Sequence, residues 1–177
     1  MDPSQDIEQE LLGVPPQAYG ASYTSHVLEQ YRLYVEMTDR ISERRQSANT
    51  FLLTVNTVLV AILGLASEVP GRASNLIFLG ATGIAGMALS YTWYRLIGSY
   101  RQLNSGKFRI VHAMERLLPL RPYDAEWTTL GRGRDPALYR PFTSVETWIP
   151  ALFFLLYLSL LVLSIIAACF SGQPCVA

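Results

Sequence analysis

Charge is scarce in this chain. Only 16% of its 177 residues are charged, against 50% hydrophobic, an apolar balance that points away from a soluble domain and toward a membrane protein. The 14 basic residues match the 14 acidic ones, leaving a formal net charge of zero. That sum argues against a nucleic-acid partner. Cysteine is nearly missing as well: Cys169 lies in an apolar run and Cys175 near the end, so neither a disulfide framework nor a Cys-based metal site follows. The first 25 residues hold Asp2, Asp6, Glu8 and Glu10 but no apolar core of a leader, so targeting is expected from an internal apolar segment.

What the chain does have is three uncharged apolar windows, residues 48–67, 76–94 and 150–170. Each approaches the ~20 residues that a helix needs to cross ~30 Å of hydrocarbon. Residues 51–65 contain ten Leu, Ile, Val or Phe and residues 152–170 contain thirteen, whereas the middle window is poorer in them. The middle span is therefore expected to lean on neighbouring helices more than on lipid. The reading is an all-α membrane protein with three transmembrane helices.

Four basic residues precede the first window, one (Arg72) lies between the first two, nine lie between Arg95 and Arg140, and none follows the third. Short loops rich in Lys and Arg stay in the cytoplasm, so the N-terminus is expected inside and the C-terminal tail, residues 171–177, outside. Residues 1–24, with Pro15, Pro16 and Gly20, read as a flexible lead-in. Residues 25–47 carry Val27, Leu28, Tyr31, Tyr34, Val35, Thr38 and Ile41 at helical spacing, and nothing breaks the helix before the first span. One long helix is expected, its aromatic stripe packed on protein. A surface-lying amphipathic anchor is the alternative, disfavoured by the mixed charge of the polar face.

Residues 95–149 read as a helical cytoplasmic insert. Ile110, Val111, Met114, Leu117 and Leu118 share a face that stops at Pro119. Thr143 and Glu146 have capping-box spacing, Trp148 reads as an interfacial aromatic, and Pro150 is expected to kink the approach to the third span.

Within the first span Thr50, Thr54 and Thr57 recur at i, i+4, i+7, and Asn49 and Asn56 lie seven apart on an adjacent strip. Helix packing, a water-lined pore and scattered tolerated polarity all fit such stripes. The second span spaces Gly80, Gly83 and Gly86 by three, with Ala81, Ala85 and Ala88 opposite, and small residues let helix backbones approach closely. These eight polar and glycine positions are the candidates for helix contacts or a pore face. The third span reads as a lipid-facing wall, and self-association is expected.

Chemistry is thinly supported. His112 and Glu115 form an HxxE pair that reads as a chance surface pair, and GRGRD at 131–135 lacks the Lys-Ser/Thr of a phosphate loop. No catalytic, cofactor-binding or metal-ligating residue is expected. No Asp, Glu, Lys, Arg or His lies inside a span, which disfavours an ion-coupled carrier.

Residues 33–57, LYVEMTDRISERRQSANTFLLTVNT, and 103–119, LNSGKFRIVHAMERLLP, together with DAEW at 124–127 and the Pro-Phe-Thr-x-x-Glu-x-Trp run at 141–148, resemble the RipA family of small bacterial inner-membrane proteins. The resemblance implies an octameric ring or barrel in the cytoplasmic membrane, with self and membrane lipids as partners and the basic loop as a cytoplasmic layer. It carries over no catalytic or cofactor residue. In plan only, the layout is similar to two-span membrane effectors of bacterial conflict systems, from which the third span and the larger insert depart. Three functions stand as expectations: a non-enzymatic scaffold, with a role in envelope or stress physiology; a pore lined partly by the polar face of the first span; and, last, an enzyme. A cytoplasmic partner for the insert is left open.

Overall fold

The computed structural model describes residue 7 and residues 10–66, 72–139 and 145–170, the side chains of 66 and 72–75 aside. The elements are helical throughout: α1 (Pro16–Tyr19), α2 (Tyr23–Ala66), α3 (Arg72–Glu115), α4 (Pro122–Thr129), a 3-10 turn at Gly131–Gly133, and α5 (Trp148–Phe170). No strand occurs among the described residues. Three of the helices are long and apolar enough to cross a membrane.

The lead-in holds more structure than its composition suggests. Pro16 starts α1, where a missing N–H is harmless, and Gly20 ends it at φ +91°, a conformation that suits glycine. Helix α2 then runs 44 residues without a break. Buried or half-buried positions recur along it at 27, 31, 34, 38, 41, 45, 49, 52, 56, 59 and 63. Steps of three and four, repeated, are the 3.5-residue period of left-handed helix packing. Leu28, expected on that face, is exposed instead.

Helix α3 also spans 44 residues. The apolar face expected at Ile110, Val111, Met114, Leu117 and Leu118 begins on its last part and runs past its end at Glu115, and no break follows residue 94. Gly98 and Gly106 fall within it facing open space, costing about 1 kcal/mol each relative to alanine, and a seam of buried or half-buried side chains, mostly apolar, at 93, 97, 100, 104, 108, 111 and 115 carries the helix through them. It ends at Glu115, and the next three amides turn back onto Ala113, Met114 and Glu115 carbonyls one residue short of helical spacing, at 3.0–3.2 Å.

The chain divides into two compact units. One comprises Met1–Arg44 with Tyr100–Pro141. Its centre holds Val111, Ala113, Met114 and Glu115, all buried. Phe108 meets Tyr123 edge-on with centroids 5.8 Å apart, Trp127 meets Tyr139 at 5.9 Å, and the Lys107 ammonium stands 4.6 Å over the Tyr34 ring.

The other unit comprises Arg45–Ser99 with Phe142–Ala177. Leu52, Trp93 and Ile97 form its core with Leu89, Leu96 and Phe153 packed against them. Pro150 causes no kink of its own: it sits in the first turn of α5, where no N–H is needed, and the helical run is already interrupted at Thr147. The third span is not a plain lipid wall either. Pro150, Tyr157 and Ser164, seven residues apart, are its buried seam, and Leu152, Leu155, Leu163 and Ile165 are exposed around the rest.

Candidate functional site

Polar side chains inside the three-span unit sit in two layers one heptad apart. The Asn49 side chain forms the centre of one. Trp93 Nε1 donates to Asn49 Oδ1 at 2.9 Å, and Asn49 Nδ2 donates to Glu146 Oε1 at 3.1 Å. Arg45 stands 3.9 Å from the other Glu146 oxygen, which is buried and has no hydrogen-bond partner among the described residues. The amide thus spends its acceptor on α3 and a donor on the segment leading into α5. The capping box expected of Thr143 and Glu146 lies outside the described residues, since Thr143 is not among them; one Glu146 carboxylate oxygen takes the Asn49 amide.

Asn56 forms the second layer, with no residual exposure. Its Nδ2 donates to the Leu52 carbonyl at 2.8 Å, Ser90 Oγ donates to its Oδ1 at 3.5 Å, and Tyr157 Oη donates to its main-chain carbonyl at 3.2 Å. The Asn56 layer thus draws on α2, α3 and α5, and the Asn49 layer on α2, α3 and the segment leading into α5. Buried polar groups in hydrocarbon need such partners, since water cannot supply them.

The glycines make room for this contact. A Cβ on Gly86 would lie 2.5 Å from the Tyr157 ring, and one on Gly83 would lie 3.2 Å from the Tyr157 carbonyl and 3.3 Å from Leu161 Cβ. Gly80 faces Ser164 Oγ at an ordinary 3.6 Å. All three glycines of the stripe thus face α5.

The threonines differ. Thr50, Thr54 and Thr57 are exposed, and the Thr54 and Thr57 hydroxyls donate to carbonyls one turn back, Thr50 and Leu53, at 2.8 Å. The two strips of the first span part accordingly: asparagines inward, threonines outward. Ala61 and Gly64 continue the outward strip at the same spacing, and Ala81, Ala85, Ala88 and Thr92 form a comparable exposed strip on α3.

A second polar centre belongs to the other unit. Glu115, expected on the surface, is fully buried. Its Oε1 accepts from Tyr31 Oη at 3.1 Å and the Tyr123 amide at 2.9 Å, and its Oε2 accepts from the Asp124 amide at 3.0 Å. A carboxylate seven residues before α4 thereby caps that helix in place of Arg121, which makes no side-chain cap. His112 Nδ1 lies 3.8 Å from Glu115 Oε2, buried and without a hydrogen-bond partner among the described residues. The Tyr31 phenol is pushed up to about 12, by burial first and then by the adjacent Glu115.

The sequence alone does not single out Trp93 and Tyr157, and in it Tyr31 and Glu146 read only as a packing and a capping residue, because a polar tip read one helix at a time shows no partner. Trp93 stands seven residues after Gly86, which is the available signal for it.

With this arrangement in view, residues 28–166 match the family model described as Octameric membrane protein family (8xMP). The chain belongs to that family. The match takes in α2, α3 and α4 almost whole and most of α5, so both polar centres lie inside the region that defines the family. No curated protein and no solved structure matches the chain.

Proposed function

We propose that this family member is a non-enzymatic scaffold of the bacterial inner membrane that works as a homo-oligomer, octameric as the family's name has it, with the N-terminus in the cytoplasm. The observation that carries the reading is that the side chains of half-buried Asn49 and buried Asn56 are both engaged within one chain. Those amides are the strongest polar groups of the first span; Trp93 and Glu146 engage the Asn49 side chain, Ser90 engages that of Asn56, and Tyr157 takes the Asn56 main-chain carbonyl, all within the same copy. They hold spans together and leave no asparagine to line a channel. The exposed small strips, Thr50, Thr54, Thr57, Ala61 and Gly64 on α2 and Ala81, Ala85, Ala88 and Thr92 on α3, support close packing between copies. The asymmetry of basic residues supports the sidedness. The likeness to the RipA family, resting on residues 33–57 and 103–119, supports assembly of several copies in the cytoplasmic membrane.

A pore is the second reading, favoured by one feature: the threonine strip stays exposed. Its hydroxyls already bond the backbone, which weakens the need for water there. Mass measurement of the full chain released from nanodiscs, paired with ion flux in liposomes, separates the readings. A scaffold gives a multimer without conductance. Conductance reduced by Thr54→Leu establishes the pore, and a monomer removes both.

A further inference from the structure

Tyr91 and Arg95 form a polar platform where the second apolar window ends. Arg95 is the first charged residue after residues 76–94. Its Nη1 donates to the Tyr91 hydroxyl, one helical turn back, at 3.3 Å. Both side chains are exposed, and among the described residues Arg95 makes no ion pair. Arg45, another base of the same unit, is mostly buried and faces Glu146, so its charge is offset. Tyr94 and Trp148 are exposed in the same unit, Trp148 by 69%. Amphipathic rings of this kind favour the boundary between hydrocarbon and headgroups.

The donor set selects a ligand. The guanidinium is planar, permanently charged and spends one N–H on Tyr91, leaving the rest of its fork for an oxyanion. Because the Tyr91 oxygen accepts from Arg95, its own O–H is free to donate outward. A fork beside a hydroxyl at headgroup depth suits a phosphodiester, whose oxygens take both bonds. The geometry points to Tyr91 and Arg95 as a binding site for the phosphate of an anionic phospholipid. A zwitterionic lipid brings an ammonium group that the guanidinium repels, so phosphatidylglycerol is preferred over phosphatidylcholine. This inference rests on the membrane placement proposed above and on neither copy number nor sidedness.

The test uses the full chain in nanodiscs of equal phosphatidylglycerol and phosphatidylcholine, with retained lipid counted by native mass measurement. Arg95→Gln is expected to lower the preference for phosphatidylglycerol about tenfold, the scale of a charged hydrogen bond. Tyr91→Phe lowers it less, and Arg109→Gln, an exposed base far from the window, leaves it unchanged. An unchanged preference in Arg95→Gln overturns the site. So does full displacement by inorganic phosphate at equal concentration, which marks a free-anion site, or a photo-crosslink from position 91 to another copy, which marks a contact between chains. Failure of the membrane placement looks different: the chain then stays outside the nanodiscs altogether.

Discussion

The ring of Tyr157 occupies the space that a side chain at Gly86 would need: a Cβ there would stand 2.5 Å from three ring carbons. The same tyrosine reaches the Asn56 carbonyl, 101 residues away in sequence. Glycine at 86 is thus required by close approach of two helices. Gly86→Ala is expected to destabilise the three-span unit by about 1–3 kcal/mol through overpacking. Gly80→Ala, in ordinary contact, is expected to stay within about 0.5 kcal/mol. Thermal unfolding in one detergent ranks them, and equal effects would remove the close-approach argument.

Asn49 bridges two partners, so its loss strands both. Asn49→Ala leaves Trp93 Nε1 and Glu146 Oε1 without their bonds and is expected to cost about 1–3 kcal/mol. In a double-mutant cycle with Glu146→Ala the coupling is expected at about 0.5–2 kcal/mol, since hydrogen bonds between membrane helices are modest. Additive single effects would mean that the two side chains do not meet.

The two strips of the first span give opposite expectations for similar substitutions. Thr54→Val removes an exposed hydroxyl already bonded to its own helix and is expected to change stability by no more than about 0.5 kcal/mol. Asn56→Leu removes a buried amide and enlarges the side chain in a full site, with an expected loss of about 2 kcal/mol or more. Reversal of that order would place the threonine strip inside.

Much of this fold could be read from the chain because bilayer thickness and the 3.5-residue repeat act locally. Three windows of spanning length and an unbroken run from residue 25 through 65 were enough to name the helices. The continuity of α3 past residue 94 was harder to see, since the change from apolar to basic composition at Arg95 resembles a boundary although the backbone does not register it. The candidate positions were legible as strips, but which strip faced inward was not. Asn49 and Thr50 are neighbours, and only partners on other helices, Trp93 and Glu146, tell them apart. Glu115 defied its surface reading because the groups that satisfy it, the amides of Tyr123 and Asp124, belong to a helix that begins beyond Pro119.

Alkaline titration probes the second polar centre. Tyr31 is neutral in the folded chain well above the ordinary phenol value of 10.0, up to about 12. Above pH 10 an unfolded chain releases this proton and the folded one keeps it, so folding becomes less favourable as pH rises. The stability contributed is whole below about pH 10 and lost by about pH 12. Ultraviolet difference titration of the chain against Tyr31→Phe is expected to show one late phenol, moved earlier by Glu115→Gln. A phenol titrating in the ordinary range would contradict the buried contact.

The account stands on the polar layers joining spans of one copy. In a background with Cys169 and Cys175 replaced by serine, Asn56→Cys combined with Ser90→Cys puts thiols where the side-chain oxygens are 3.5 Å apart. Oxidation in native membranes is expected to yield a cross-link within a single chain, seen as a monomer whose mobility shifts on reduction. Cross-linked dimers in place of that monomer, or no cross-link, would show that Asn56 does not meet Ser90 of its own chain.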